Sequence, residues 1–94
     1  AREISKAIRR SLNALGLSVA EGDSNIISIV IGDADKTMRA GRLLNSQGIL
    51  VGSIRPPTVP TGTSRLRISL KATLTLEDVE RILAAFGQVA KEIL

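Results

Sequence analysis

The feature that most constrains this chain is an alternation of apolar and polar residues within positions 64–71. Leu66, Ile68 and Leu70 occupy every second position, and polar side chains fill the positions between them. Successive side chains of a β-strand point to opposite faces, so a period of two predicts a strand with one apolar and one polar face. The segment therefore predicts a sheet with the core on one side and a polar environment on the other.

Other hydrophobic patterns predict five further elements. Apolar residues recur at helical spacing near both ends of the chain and after Asp33, whereas two short apolar runs are typical of strands. The predicted elements are a helix over 2–15, a strand over 26–31, a helix over 34–47, a strand over 49–54, the strand over 64–71 and a helix from 75 to 94.

Local signals refine these elements. The uninterrupted run 26–31 predicts a strand buried on both faces. Gly41 lies inside a helix, where glycine costs up to about 1 kcal/mol against alanine, so we expect it to permit close packing. At the start of the last helix, Thr75 and Asp78 fit a capping box, and Leu74 and Val79 fit a hydrophobic staple.

The first and second helices have less complete signals. Met38, Gly41 and Leu44 predict the inner stripe of the second helix. The cations of the first helix lie off its apolar stripe, and three cations on such a face predict a solvated surface. These cations are Lys6, Arg9 and Arg10.

The order of elements predicts an α+β fold, α-β-α-β-β-α, with a three-stranded mixed sheet. A strand–helix–strand unit is right-handed, which makes the first two strands parallel. The third strand fits between them, antiparallel to both, and forms a split β-α-β arrangement. The helices then pack on one face of the sheet, and the face with Arg65, Arg67 and Lys71 stays open.

Composition restricts the chemistry of this domain. The 94 residues predict a single domain over 1–94, and the chain contains no cysteine, no histidine and one aromatic residue, Phe86. Thiol nucleophiles, histidine bases and aromatic platforms for bases are therefore excluded. We expect a soluble cytoplasmic chain without metal, leader or membrane span, whose site is made from cations, carboxylates, hydroxyls and backbone groups.

Four cations lie close together in the sequence. Arg55, Arg65, Arg67 and Lys71 fall within 17 residues, and threonines and serines lie between them. Guanidinium groups bind carboxylates or phosphates through paired hydrogen bonds, and the proline-bounded loop before the strand favours a fixed shape. The residues alone leave three hypotheses open: a solvated strand face, a site for a small anion, or a surface for RNA or another polyanion.

The run Ile54–Leu70, IRPPTVPTGTSRLRISL, resembles the signature near the C-terminus of the α-oxoamine synthases. The likeness extends over nearly the whole chain, and the sequence of residues 54–60 most resembles that of one member of the family. The resemblance implies a small C-terminal domain of a pyridoxal-phosphate enzyme that joins an amino acid to an acyl-CoA with loss of CO2.

The resemblance also assigns roles. Arg67 matches the arginine that binds the substrate carboxylate, Thr58 a threonine that contacts substrate beside the cofactor, and Arg55 a residue at the edge of the active site. The lysine, aspartate and histidine that hold pyridoxal phosphate in this family belong to a large upstream domain. The resemblance therefore implies that this chain holds no catalytic or cofactor-binding residue and does not catalyse the reaction alone. It also implies two partners, namely that large domain and a small carboxylate substrate.

Two positions depart from the family pattern. Ser28 stands where the family has proline, and Leu74 where it has histidine. A serine restores a backbone donor and a leucine improves the staple, so both changes favour a domain altered, by nature or by design, to fold alone. Two further expectations follow. The domain is a folding scaffold that binds no ligand, and its copies associate through the open sheet face.

Overall fold

A computed structural model gives the structure of the chain and describes residues 2–20, 22, 24–71 and 73–94. The elements follow the predicted order with one addition, a short strand after the first helix. The helices are α1 (Arg2–Ala14), α2 (Ala34–Ser46) and α3 (Leu76–Glu92). The strands are β1 (Ser18–Val19), β2 (Ile26–Gly32), β3 (Val51–Ile54) and β4 (Ser64–Ser69).

The sheet has the order β1-β2-β4-β3. Strand β4 lies between β2 and β3 and is antiparallel to both, so β2 and β3 run in the same direction and the split β-α-β arrangement is confirmed. The predicted number of strands needs correction, because β1 adds a fourth strand antiparallel to β2. The expectation of a mixed sheet also needs correction, because every pair of adjacent strands within the described residues is antiparallel.

The core lies between the helices and one face of the sheet. Leu66, Ile68 and Leu70 of the alternating segment are buried, which confirms their predicted face. The largest fully buried apolar side chains are Ile8, Leu12, Ile27, Ile29, Leu44, Leu66, Phe86 and Val89. The other face of the sheet stays open, so only one face of β2 is buried: Ile26 is 44% exposed and Val30 36%. The expectation of a strand buried on both faces was therefore wrong.

Helix α2 approaches the sheet closely. Its buried residues are Thr37, Ala40, Gly41 and Leu44, whereas Met38 is only half-buried. A Cβ atom on Gly41 would lie 2.5 Å from the Ser53 hydroxyl oxygen on β3. The predicted role of Gly41 in close packing is confirmed.

The start of α3 is closed by the predicted capping box. The Asp78 N–H donates to the Thr75 hydroxyl at 3.1 Å, and the Thr75 N–H donates to the Asp78 carboxylate at 3.0 Å. Leu74 and Val79, the two positions of the predicted staple, are half-buried and pack against the core.

Arg9 corrects the expectation of a solvated cationic face on α1. It is 7% exposed, and its guanidinium donates to three backbone carbonyls and to the Ser5 hydroxyl. The carbonyl distances are 3.3 Å to Ala20, 3.0 Å to Ser24 and 2.9 Å to Ile26. Arg9 thus ties α1 to the connector before β2, whereas Lys6 and Arg10 are exposed.

In the part of the chain that the structure describes, no helix combines the length and the apolar character that a membrane span needs.

Candidate functional site

Arg67 lies at the middle of the open face. Its side chain is exposed on β4, and its cross-strand partners are Ser28 on β2 and Gly52 on β3. Direct cross-strand partners share a face, so two small residues flank the arginine on the neighbouring strands. The guanidinium therefore stands on the central part of the sheet with free space on both sides.

The hydrogen-bond ladder fixes how close Ser28 comes to Arg67. The Leu70 N–H donates to the Asn25 carbonyl at 2.8 Å, so hydrogen-bonded pairs alternate from there along β2 and β4. Ser28 and Arg67 then form a non-hydrogen-bonded pair, in which side chains lie closer together. The Ser28 backbone groups point instead toward β1, because the Ser28 carbonyl accepts from the Ala20 N–H at 3.3 Å.

Arg65 and Arg67 share the open face but differ in their contacts. Arg65 is half-buried, and its Nε donates to the Thr63 carbonyl at 3.1 Å. Arg67 makes no hydrogen bond or ion pair with any of the described residues. Of the two, only Arg67 keeps its whole guanidinium fork available to a ligand.

The loop between β3 and β4 consists of two consecutive turns. The Thr58 N–H donates to the Arg55 carbonyl at 3.1 Å, which closes a turn that contains the cis Pro56–Pro57 peptide. The Thr63 N–H and hydroxyl both donate to the Pro60 carbonyl, at 3.1 and 2.6 Å. Arg55 and Thr58 are exposed and belong to one turn at the end of β3, so the structure brings these two predicted residues together.

Lys71 lies apart from the other three cations. It follows β4 at the end of the strand opposite the proline loop. There it lines a surface depression together with Asp78 and Arg81. Arg55 is in the loop, and Arg65 is bound to it. The four cations that lie close in sequence are thus not one continuous patch in the structure.

The patterns in the sequence did not indicate the apolar residues around Arg67. Leu50, Val51, Gly52, Ile54 and Ser69 form a shallow depression with Arg67. Leu50 is 82% exposed, more than any other large apolar residue among those the structure describes. The alternation of residues 50, 52 and 54 along the strand could have revealed this apolar surface.

The residues of this chain do not by themselves fit pyridoxal phosphate. The sequence has no histidine, and Lys71 and Lys91 lie exposed on different elements, after β4 and in the last turn of α3. Among the described residues, no group of acidic side chains could hold a metal ion.

Comparison with known proteins gives a consistent assignment. The family model described as aminotransferase class I and II matches residues 2–86. An 8-amino-7-oxononanoate synthase from Alkalilimnicola ehrlichii is 43% identical over 88 residues, which cover 94% of this chain and 22% of that protein. The resemblance of residues 54–60 indicates the same kind of enzyme.

Solved structures agree with the sequence relatives. A serine palmitoyltransferase from Sphingomonas wittichii superposes with a TM-score of 0.86 at 30% identity, covering 95% of this chain and 23% of that one. A serine palmitoyltransferase variant from S. paucimobilis with bound PLP–myriocin aldimine gives a TM-score of 0.85 at 27% identity, covering 97% and 23%. The chain thus spans less than a quarter of the length of these relatives. It belongs to the aminotransferase class I and II family.

Proposed function

We propose that this chain is the C-terminal domain of a longer oxoamine synthase close to 8-amino-7-oxononanoate synthase. Its open sheet face then forms one wall of the active site of that enzyme. The parent reaction is the pyridoxal-phosphate-dependent condensation of an amino acid with an acyl-CoA, with loss of CO2. Support comes from the named relative at 43% identity and from the small share of that relative, 22%, that this chain spans.

Arg67 is the proposed carboxylate clamp. The observation that carries this role is the contrast with Arg65, whose Nε is bound to the Thr63 carbonyl while Arg67 has no partner among the described residues. A planar guanidinium on a rigid strand can donate two parallel hydrogen bonds to one carboxylate, which fixes the position and the orientation of the amino acid.

Thr58 and Arg55 are proposed as contacts at the rim of that site. Their turn is closed by the hydrogen bond from the Thr58 N–H to the Arg55 carbonyl, so the backbone under both side chains has a defined shape. In this proposal Thr58 contacts the amino acid substrate beside the cofactor, and Arg55 contacts the acyl substrate.

The cofactor belongs to the rest of the proposed enzyme. Pyridoxal phosphate supplies the electron sink for reactions at the amino acid carbon. This chain has no histidine to stack on the ring, so we assign it the binding and orientation of substrate and no catalysis by itself. A cytoplasmic location and the alteration of the domain to fold alone stay predictions.

The open face gives little support to the polyanion hypothesis. Recognition of single-stranded nucleic acid uses exposed aromatic side chains, and Phe86, the one aromatic residue of the sequence, is fully buried in the core. The four cations are also separated in the structure, because Arg65 is bound to the loop and Lys71 lies at the far end of β4.

A domain exchange tests the proposed function. This chain replaces the matching 88 residues of the Alkalilimnicola ehrlichii synthase, and the release of thiol from a pimeloyl thioester with alanine is measured. We expect an active hybrid enzyme, in which Arg67→Gln lowers kcat/KM for alanine by about 100-fold because a charge-assisted pair of hydrogen bonds is lost.

Arg65→Gln is the matched control, since it removes an equal charge from the same strand face. We expect it to change kcat/KM by less than about threefold, because the hydrogen bond from its Nε to the Thr63 carbonyl holds this guanidinium at the loop. Equal losses in the two variants, or a folded hybrid that binds pyridoxal phosphate but is inactive, would contradict the proposal.

A further inference from the structure

Gly52 has no structural reason to be glycine within the described residues. It lies inside β3, and glycine in a strand interior weakens the strand because it packs no side chain and loses more backbone entropy. Its φ is not positive, unlike that of Gly48 and Gly62, and a Cβ atom built on it meets no atom within 4 Å. Gly41 differs, since there a Cβ atom would meet Ser53 at 2.5 Å.

The space above Gly52 has a defined chemical surrounding. Leu50 immediately precedes β3 and alternates in sequence with Gly52 and Ile54, so the depression has an apolar side chain before and after the glycine. At about 3.3 Å per residue, Leu50 and Ile54 are roughly 13 Å apart along the strand. Arg67 lies directly across from Gly52, so a cation faces the middle of this apolar trough.

We propose that Gly52 determines which substrates fit beside Arg67: it leaves room for the unbranched apolar side chain of an amino acid whose carboxylate binds Arg67. That side chain lies over Gly52 between Leu50 and Ile54. Charge complementarity selects the carboxylate end, and the exposed apolar side chains select the aliphatic end. This inference rests on the proposed role of Arg67 and adds the residue that sets the size of the bound group.

The trough predicts a dependence of affinity on chain length. A fully buried CH2 group contributes up to about a fourfold gain in affinity, and an open trough that covers one side of the chain gives about twofold per CH2. The side chains most affected are those that line the depression, so ligand-induced shifts should concentrate at residues 50–54 and at Arg67.

The test is an NMR titration of the 94-residue chain with acetate, butyrate and hexanoate, which keep the carboxylate and the unbranched apolar chain of such an amino acid. For the unchanged chain we expect the dissociation constant to fall about twofold with each added CH2. Gly52→Val fills the trough with a residue that strands favour, so the fold is retained. It should abolish the dependence on chain length and leave acetate affinity within about twofold.

Ser28→Val is the matched control, because Ser28 flanks Arg67 on the opposite strand. It should leave the dependence on chain length unchanged. If Gly52→Val keeps the dependence, or if the unchanged chain shows none, the role of Gly52 is refuted while that of Arg67 stands. Acetate binding that persists at equal affinity in Arg67→Gln would instead refute the proposed function itself.

Discussion

At the scale of single residues, Arg9 shows how one buried cation can organise a connector. Its guanidinium donates to the carbonyls of Ala20, Ser24 and Ile26 and to the Ser5 hydroxyl. The Ser5 hydroxyl also donates to the Ser24 carbonyl at 2.6 Å, so one helix face holds the chain as it enters β2. A single substitution there removes hydrogen bonds from several buried backbone groups at once.

We therefore expect Arg9→Met to lower the free energy of unfolding by about 2–4 kcal/mol, because methionine fills similar space but leaves the carbonyls without donors. Urea unfolding followed by circular dichroism measures this loss. Arg10→Met is the control, since Arg10 is exposed on the same helix and should change stability by less than about 0.5 kcal/mol. Equal effects of the two variants would show that Arg9 does not hold the connector.

The position of Arg9 could not be predicted from its spacing in the sequence. The apolar stripe of α1 places the residue outside the core, which is correct for the helix alone. Its burial depends on the carbonyls of Ala20, Ser24 and Ile26, whose location follows from the tertiary fold and leaves no periodic signal in the sequence. The capping residues Thr75 and Asp78 could be predicted because both partners lie within four positions of each other.

At the scale of elements, the start of α3 combines a cap with a titrating carboxyl group. Hydrogen bonds from Thr75, first from its N–H, together with the Arg81 guanidinium at 2.8 Å, hold the pKa of Asp78 below the ordinary value for aspartate. A carboxyl group with a lowered pKa in the folded state stabilises the fold above its unfolded pKa of about 3.9. That contribution is lost as the pH falls through the folded pKa.

We expect Asp78→Asn to reduce the acid sensitivity of this domain. The difference between the urea midpoints at about pH 7 and about pH 2.5 should be smaller in the variant than in the unchanged chain. The reason is that the variant lacks the carboxyl group whose protonation is coupled to unfolding. Glu80→Gln, on the exposed side of the same helix, is the control and should leave that difference unchanged. An unchanged difference in Asp78→Asn would contradict the role of the cap in acid unfolding.

Strand patterns differ in how much of their surroundings they predict. The alternation in β4 has one polar and one apolar face, and the structure buries the apolar one. The run in β2 is apolar on both faces, and such a pattern cannot tell a covered face from an open one. Strand β1 has two residues, too few for any period to be read, so the fourth strand could not be predicted.

At the scale of the whole molecule, two positions bear on whether the domain folds without further chain. Leu74 packs against the core before α3, and the Ser28 carbonyl accepts from the Ala20 N–H next to β1. The Ser28 N–H points the same way, so the donor that serine restores faces β1 and leaves the pairing with β4 unaffected.

We expect Leu74→His and Ser28→Pro each to lower the free energy of unfolding by about 1–2 kcal/mol, because one removes apolar burial and the other a backbone donor. Leu76→His is the control for the first variant: Leu76 is 76% exposed, so the same change there should cost less than about 0.5 kcal/mol. If neither Leu74→His nor Ser28→Pro loses stability in urea, these positions do not serve independent folding.

The open face of the sheet could be predicted, whereas the contacts of its cations could not. The alternation placed Arg65 and Arg67 on the open face, but it could not show that the Thr63 carbonyl occupies one of them. The vacant space over Gly52 also has no sequence signal, because it depends on what neighbouring strands do not fill.

The central position of β4 determines the order in which the sheet can assemble. Ile29 pairs with Leu66, 37 positions further along the chain, and β3 has no strand neighbour other than β4 among the described residues. Loop-closure entropy must be overcome before such distant partners stabilise each other. During synthesis from the N-terminus, β2 and β3 therefore cannot pair with their shared neighbour until β4 has been made.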